Sequence, residues 1–263
     1  MNLEKITGQV VEAALDAGAF IRRERLNFSK KDVELKGRKT DLVSYVDKEA
    51  EKMLVDTLRP LVADAGFLTE EETVSQDSKE YTWIIDPLDG TTNFVHGLPN
   101  FCVSVALQHK DELVVGVVYE IANDECFYGW KDGGAYLNEE PIQVANEQHI
   151  DECVFATGFP IYNFDMLDNY LAILNELMKN TRGLRRMGSA AADLAYVACG
   201  RYGGFFEYNL NPWDVAAGIL LVKEAGGVVT DFKGGENYLF GREIVAGGAV
   251  HPQLLEIVNR FWS

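Results

Sequence analysis

A chain of 263 residues, 47% hydrophobic and 25% charged, can bury one large core or two modest ones and is ordinary in composition for a globular protein. Its 24 basic against 41 acidic side chains leave a formal charge of −17, which repels phosphate backbones and argues against nucleic acid as a bulk partner. No apolar run approaches a membrane span and the opening Met-Asn-Leu-Glu-Lys lacks a signal-peptide pattern, so no membrane partner is expected and the cytoplasm is the expected compartment.

In chain order, Leu3, Ile6, Val10, Ala14, Ala17 and Ile21 recur at spacings of three and four and predict an amphipathic helix over 3–26. The pattern returns through Val46, Ala50, Met53, Leu54 and Leu58 over 44–61, closed by Pro60, with polar "KGRKT" (36–40) as the connection. Residues 83–85 read as a short buried strand, and Gly90 to Asn93 as the start of a new element. From Phe101 the period changes to two, and four β-rich runs separated by turn residues predict an antiparallel meander. Beyond it, strands and helices alternate. A strand is expected at 153–157 and a helix at 165–178. A helix at 189–199 has Ser189 as its cap, and "GGFFE" (203–207) follows as a strand. The next helix is capped by Asn211 with Pro212 at its first position and stopped by Gly226-Gly227; two strands and a last helix over 251–262 complete the chain. A soft boundary near 145–151 divides an N-terminal α+β half, 1–150, from a C-terminal α/β half, 151–263.

The four cysteines and four histidines are scattered and form no Cys-x-x-Cys, which speaks against zinc and for reduced thiols. Chemistry is concentrated in the acids. Asp47 and Asp214 each suit the first turn of a helix, Glu70, Glu71 and Glu72 suit a solvated loop, and Glu207 at a strand end has no privileged role alone. Asp86 and Asp89 differ, because Pro87 stiffens the link between them and Gly90 permits a tight backbone after them. Two unit charges about 4 Å apart repel by about 4 kcal/mol at an effective dielectric of about 20, so something must offset them. A turn-forming role for Asp-Pro and Asp-Gly is available. The placement of both charges at a strand end favours instead a hard cation such as Mg²⁺, held by carboxylates and the Leu88 carbonyl. Gly90, Thr91 and Thr92 can begin a short helix whose N–H groups face an anion, so one loop offers cation ligands beside an anion cradle.

"DPLDGTTNF" (86–94) together with "WDVAAG" (213–218) resembles the inositol monophosphatase family, with "FLTEEE" (67–72) and "DLVSYVD" (41–47) in the expected upstream places. "RRMGSAAADLAYVACGR" (185–201) and "GGFFE" are similar to its bacterial members, and the resemblance covers nearly the whole chain. It implies an α+β class protein with a layered αβαβα sugar-phosphatase-like fold, the antiparallel meander sheet in the N-terminal half and a mixed sheet with helices in the C-terminal half, assembled as a homodimer. It implies two to three Mg²⁺ ions per subunit and inhibition by Li⁺. Carried over by position, Glu70, Asp86 and the Leu88 carbonyl would hold one ion, Asp86, Asp89 and Asp214 a second, and a weaker third would sit near Glu70. Glu70 and Thr91 would place the attacking water, with Asp47 hydrogen-bonded to Thr91. Gly90 and Thr91 N–H groups would bind phosphate, while Asp89, Ala190, Glu207 and Asp214 face the hydroxyl-bearing part of the substrate. Glu71 and Lys36 would support. One departure is Thr69, where the family commonly has glycine ahead of the paired glutamates.

The function so implied is Mg²⁺-dependent hydrolysis of a small phosphate monoester, foremost inositol 1-phosphate, by in-line attack of an activated water. Within the superfamily, phosphoadenosine nucleotides, fructose 1,6-bisphosphate and histidinol phosphate are alternatives. A non-catalytic phosphate- or metal-binding regulatory protein is the alternative of a different class.

Overall fold

The computed structural model describes residues 1–28, 33–35, 42–159 and 163–262. Lys36 and the connection at 36–40 lie outside them. The elements in chain order are α1 (Leu3–Asn27), β1 (Val33–Leu35), β2 (Leu42–Ser44), α2 (Tyr45–Leu58), β3 (Gly66–Thr69), β4 (Tyr81–Asp89), α3 (Thr91–His96), β5 (Cys102–His109), β6 (Glu112–Glu120), β7 (Glu125–Trp130), β8 (Gly134–Leu137), β9 (Glu140–Pro141), β10 (Val154–Thr157), α4 (Leu167–Asn180), β11 (Gly183–Arg185), α5 (Ala190–Ala198), β12 (Gly204–Tyr208), α6 (Pro212–Glu224), β13 (Val228–Thr230), β14 (Glu243–Gly247) and α7 (His251–Phe261).

Apart from the β1–β2 ribbon, the strands form two sheets: seven strands in the order β3-β4-β5-β6-β7-β8-β9, and five in the order β11-β10-β12-β14-β13. Three apolar clusters glue five layers together. The first lies between α1, α2 and one face of the large sheet, through Val10, Ala17, Leu54, Trp83, Val103 and Val105. The second joins the sheet's other face to α5, α6 and the small sheet, through Ile84, Ala106, Leu194, Ala217 and Phe205. The third covers the small sheet's far face with α4 and α7, through Phe155, Ile173, Phe206 and Leu254. This is the αβαβα order expected.

The period of two explains how one strand serves two cores. In β5, Val103, Val105 and Leu107 face α1 and α2, whereas Cys102 and Ala106 face α5 and α6. α5 and α6 are apolar almost all round and are sandwiched between the sheets, as such helices must be. The predicted meander is β5 to β8, with β4 and β9 extending it at either end and left-handed residues Lys110, Asp124 and Asp132 in its turns. The C-terminal sheet is mixed: β10 runs parallel to β11 and β12, while β14 runs antiparallel to β12 and β13.

Two findings go beyond the sequence reading. β3, whose residues read only as the lead into an acidic loop, is an edge strand parallel to β4. And β4 does not stop at Ile85: it continues to Asp89, its register against β5 slipping between Asp86 and Asp89. The extra residue forms a bulge, which accommodates Pro87 because a proline has no N–H for the ladder. Among the described residues no helix is long and apolar enough to cross a membrane. All four cysteines are free thiols.

Candidate active site

The parallel register of β3 and β4 builds the first half of the site. Thr69 pairs with Ile85, and the Glu70 N–H donates to the Ile85 carbonyl at 3.2 Å, so Glu70 and Asp86 leave their strands side by side at the same end. An antiparallel pair would have put them at opposite ends. The bulge then turns the chain sharply: the Leu88 N–H donates back to Asp86 Oδ1 at 3.0 Å.

Gly90 follows with φ 92° and caps α3. The left-handed backbone favours glycine, and a Cβ there would stand 2.9 Å from the Asn100 carbonyl oxygen. The Thr91 hydroxyl lies 3.0 Å from Asp47 Oδ1 and 3.0 Å from the Leu88 carbonyl. It has one hydrogen, so it donates to one of the two at a time. Asp47, in the first turn of α2, is buried, which a plain helix-terminus acid does not require.

α5 and α6 bring the C-terminal residues to the same place. Asp89 Oδ2 accepts from the Ser189 hydroxyl at 2.7 Å and from the Ala191 N–H at 2.8 Å. Ser189 was legible only as a helix cap; it also holds Asp89. Asp214 uses Oδ2 to accept the Asn211 N–H at 2.7 Å, the capping role its position suggests. Glu70, Asp89, Ala190, Glu207 and Asp214 line one cavity of about 170 Å³, with Phe159, Arg186 and Asp193 among the others on its wall. Asp86 lies behind that wall, 1% exposed.

Electrostatics mark the cluster as unfinished. Asp86 is pushed well above the usual carboxylate range, by burial first and then by the charges of Glu70, Asp89 and Asp214. Burial likewise raises Asp214, with Asp89 and Glu70 adding to it and the Asn211 N–H opposing. Asp89 is raised to about 6 by burial, against the lowering pull of its bonds from Ser189 and Ala191. Glu207 is pushed up to about 8 by burial, the Arg186 charge opposing. Asp89, Glu207 and Asp214 open onto the cavity yet sit at its floor, which is why burial dominates.

The acidic loop has an anchor that sequence reasoning missed. Glu51, on α2 and fully buried, accepts four hydrogen bonds: from the Thr69 hydroxyl, the Glu71 N–H, and both the N–H and hydroxyl of Thr73. Thr69, the departure from the family's glycine, is part of that network, and its own N–H donates to Gln76 Oε1 at 2.7 Å. The loop bearing Glu70 and Glu71 is therefore pinned from its backbone.

No three Asp, Glu, His or Cys side chains among the described residues stand ready around an ion. The donor chemistry nonetheless fits a hard divalent cation. Asp86, Asp89 and Asp214 are all raised, and Arg186 is the one basic side chain among the described residues on the cavity wall. Asp214 gives one oxygen to the cap and keeps a second, while Asp86 gives one to Leu88 and shares a hydrogen bond with Glu70.

Comparison with known proteins agrees. The inositol monophosphatase family model matches residues 2–263. The chain is 42% identical over 247 residues to an inositol-1-monophosphatase of Mesorhizobium japonicum, covering 94% of this chain and 92% of the relative. It is 44% identical over 239 residues to the Nus factor SuhB of Salmonella typhimurium, covering 90% and 89%. The crystal structure of the extragenic suppressor protein suhB from Bartonella henselae superposes with a TM-score of 0.91 at 40% identity, covering 97% of this chain and 99% of that one. With the layered fold, the bulged acidic strand and these relatives together, the chain belongs to the inositol monophosphatase family.

Proposed function

We propose that the protein is a phosphoric monoester hydrolase that uses Mg²⁺ to cleave inositol 1-phosphate into inositol and phosphate. The observation that carries the reading is the convergence of Glu70, Asp86, Asp89 and Asp214 from two halves of the chain beside a cavity that also holds Glu207. Glu70, Asp86, the Leu88 carbonyl, Asp89 and Asp214 would hold two ions, with a third, weaker one beside Glu70. Bound there, divalent cations supply the charge that acidifies a water and steadies the leaving oxygen.

The chain's own residues do the positioning. With the Leu88 carbonyl engaged as a ligand, the Thr91 hydrogen is left to Asp47 Oδ1. The Thr91 oxygen then keeps a lone pair for a water's proton, and Glu70 accepts the other. Gly90 and Thr91 N–H groups take the phosphate oxygens. Ala190, Glu207, Asp89 and Asp214 receive the hydroxyl-bearing leaving group, and Glu71 supports the loop. Positioning and charge placed in advance supply the acceleration, with no covalent enzyme intermediate.

The reading extends to inhibition by Li⁺, a homodimer and a cytoplasmic setting, on the strength of the family. Side-by-side kcat/KM values for inositol 1-phosphate, phosphoadenosine, fructose 1,6-bisphosphate and histidinol phosphate test the substrate. Inositol 1-phosphate is expected to lead, and a tenfold preference for another would replace it. A second reading, a regulatory role independent of hydrolysis, has the support of relatives bearing the name Nus factor SuhB. It would be favoured by a protein that releases no phosphate from any of these esters at saturating Mg²⁺. The acidic balance still speaks against direct binding of nucleic acid.

A further inference from the structure

α5 is buried along its whole length, and its sequence, Ala-Ala-Ala-Asp-Leu-Ala-Tyr-Val-Ala, contains one charged residue, Asp193. That side chain is 1% exposed. Its Oδ1 has no hydrogen-bond partner among the described residues. A first-turn acid suits a helix dipole, but the dipole does not explain an acid sunk between two sheets with no donor. Leaving a buried carboxyl oxygen unmatched is costly, and such groups are retained in native proteins where something outside the fold completes them.

The location says what completes it. Asp193 lies on the wall of the cavity that holds Asp89, Glu207 and Asp214. Glu207 shares its condition: it opens on the same cavity, and among the described residues none donates a hydrogen bond to it. Space for Glu207 exists because residue 158 is glycine; a Cβ there would fall 1.9 Å from Glu207 Oε1. Arg186, exposed at the cavity's rim with its guanidinium 5.8 Å from the Phe159 ring centroid, biases both acids from a distance without bonding to either. Two acid side chains set deep in one pocket with no protein donor among the described residues call for a ligand that brings its own hydroxyl groups.

Resting on the phosphatase reading above, we infer that Asp193 is a specificity-determining residue, which with Glu207 accepts hydrogen bonds from hydroxyl groups of the leaving alcohol. Asp193 takes no part in the cleavage itself. It selects a polyol over an alcohol that lacks further hydroxyl groups. A site built to pair with a hydroxyl discriminates strongly against an analogue without one, because its own polar atoms are then left unmatched.

The test compares inositol 1-phosphate with p-nitrophenyl phosphate, whose leaving group has no hydroxyl beyond the scissile oxygen. In Asp193→Asn, the ratio of kcat/KM for the first over the second is expected to fall about 10-fold or more, mainly through KM. Asp193→Ala is the second variant; alanine suits this helix, and loss of an unmatched buried acid should leave the melting temperature of the ligand-free protein equal or higher. A ratio within twofold of wild type in both variants, or equal losses on both esters with a lower melting temperature, overturns the inference and makes Asp193 structural. A wild-type protein that cleaves p-nitrophenyl phosphate but not inositol 1-phosphate overturns the inositol reading alone. The ratio is then taken with glycerol 2-phosphate, and an unchanged ratio there overturns the Asp193 inference.

Discussion

Asp89 shows how much a single side chain is asked to do. Its Oδ2 is held by the Ser189 hydroxyl and the Ala191 N–H, so the carboxylate is fixed to α5 as well as to β4. Asp89→Asn can keep both bonds through its amide oxygen while removing one charge. We therefore expect the fold to remain and kcat to fall about 10²- to 10³-fold, the scale on which a placed electrostatic group acts; steady-state kinetics beside a thermal melt check both halves. Thr91 is the complementary case. Its hydroxyl has two acceptors at 3.0 Å. Thr91→Val should lower kcat about 100-fold with KM little changed, and Thr91→Ser should recover most of it. A valine variant with full turnover would remove Thr91 from the chemistry.

At the level of elements, the site depends on a strand that the sequence did not announce. The apolar run at 83–85 and the helix signals at Ser189, Asn211 and Pro212 were plain because they follow local rules: periodicity, caps and fixed proline φ. β3 was hidden because its four residues are short and lead straight into "EEE", and a strand's partner and direction are set by contacts far along the chain. The reading of β4 as ending before the acids missed the bulge for the same reason: Pro87 looks like a stop until β5 is there to pair on both sides of it. Motif resemblance pointed to Glu70, Asp86, Asp89 and Asp214, yet could not reveal Glu51, which lies outside those motifs and holds backbone N–H and threonine hydroxyl groups of the loop. Glu51→Gln replaces one acceptor oxygen with a donor facing donors. Hydrogen bonds to a charged group are worth about 1.5–3 kcal/mol, and in a chain of this size about 2–4 °C of melting temperature accompanies each kcal/mol. The variant should melt about 4–10 °C lower and need more Mg²⁺ for half-maximal activity; unchanged Mg²⁺ dependence would show that the loop does not rely on this anchor.

For the whole molecule, the fold stores several acids in forms they would not hold in water. Glu207 sits at about 8 in the folded chain against an ordinary 4.5. A group raised on folding stabilises fully below its unfolded value, and that contribution is lost as pH rises through the folded value. In EDTA, the advantage in melting temperature of Glu207→Gln over wild type should therefore be small near pH 4.5 and grow up to about pH 8; a difference independent of pH would show that Glu207 is not held in that state. Asp86, Asp89 and Asp214 are raised in the same direction, so the metal-free molecule carries an electrostatic burden that the five packed layers must withstand. Cations bound to the native state alone would lift it by RT ln(1 + [L]/Kd), about 2.7 kcal/mol at 100 times Kd. The most direct measurement is a thermal melt of the wild-type protein at pH 7.5 in EDTA and again in saturating MgCl₂. The account predicts a rise of about 5–10 °C in MgCl₂, and an identical melting temperature in the two conditions would contradict it.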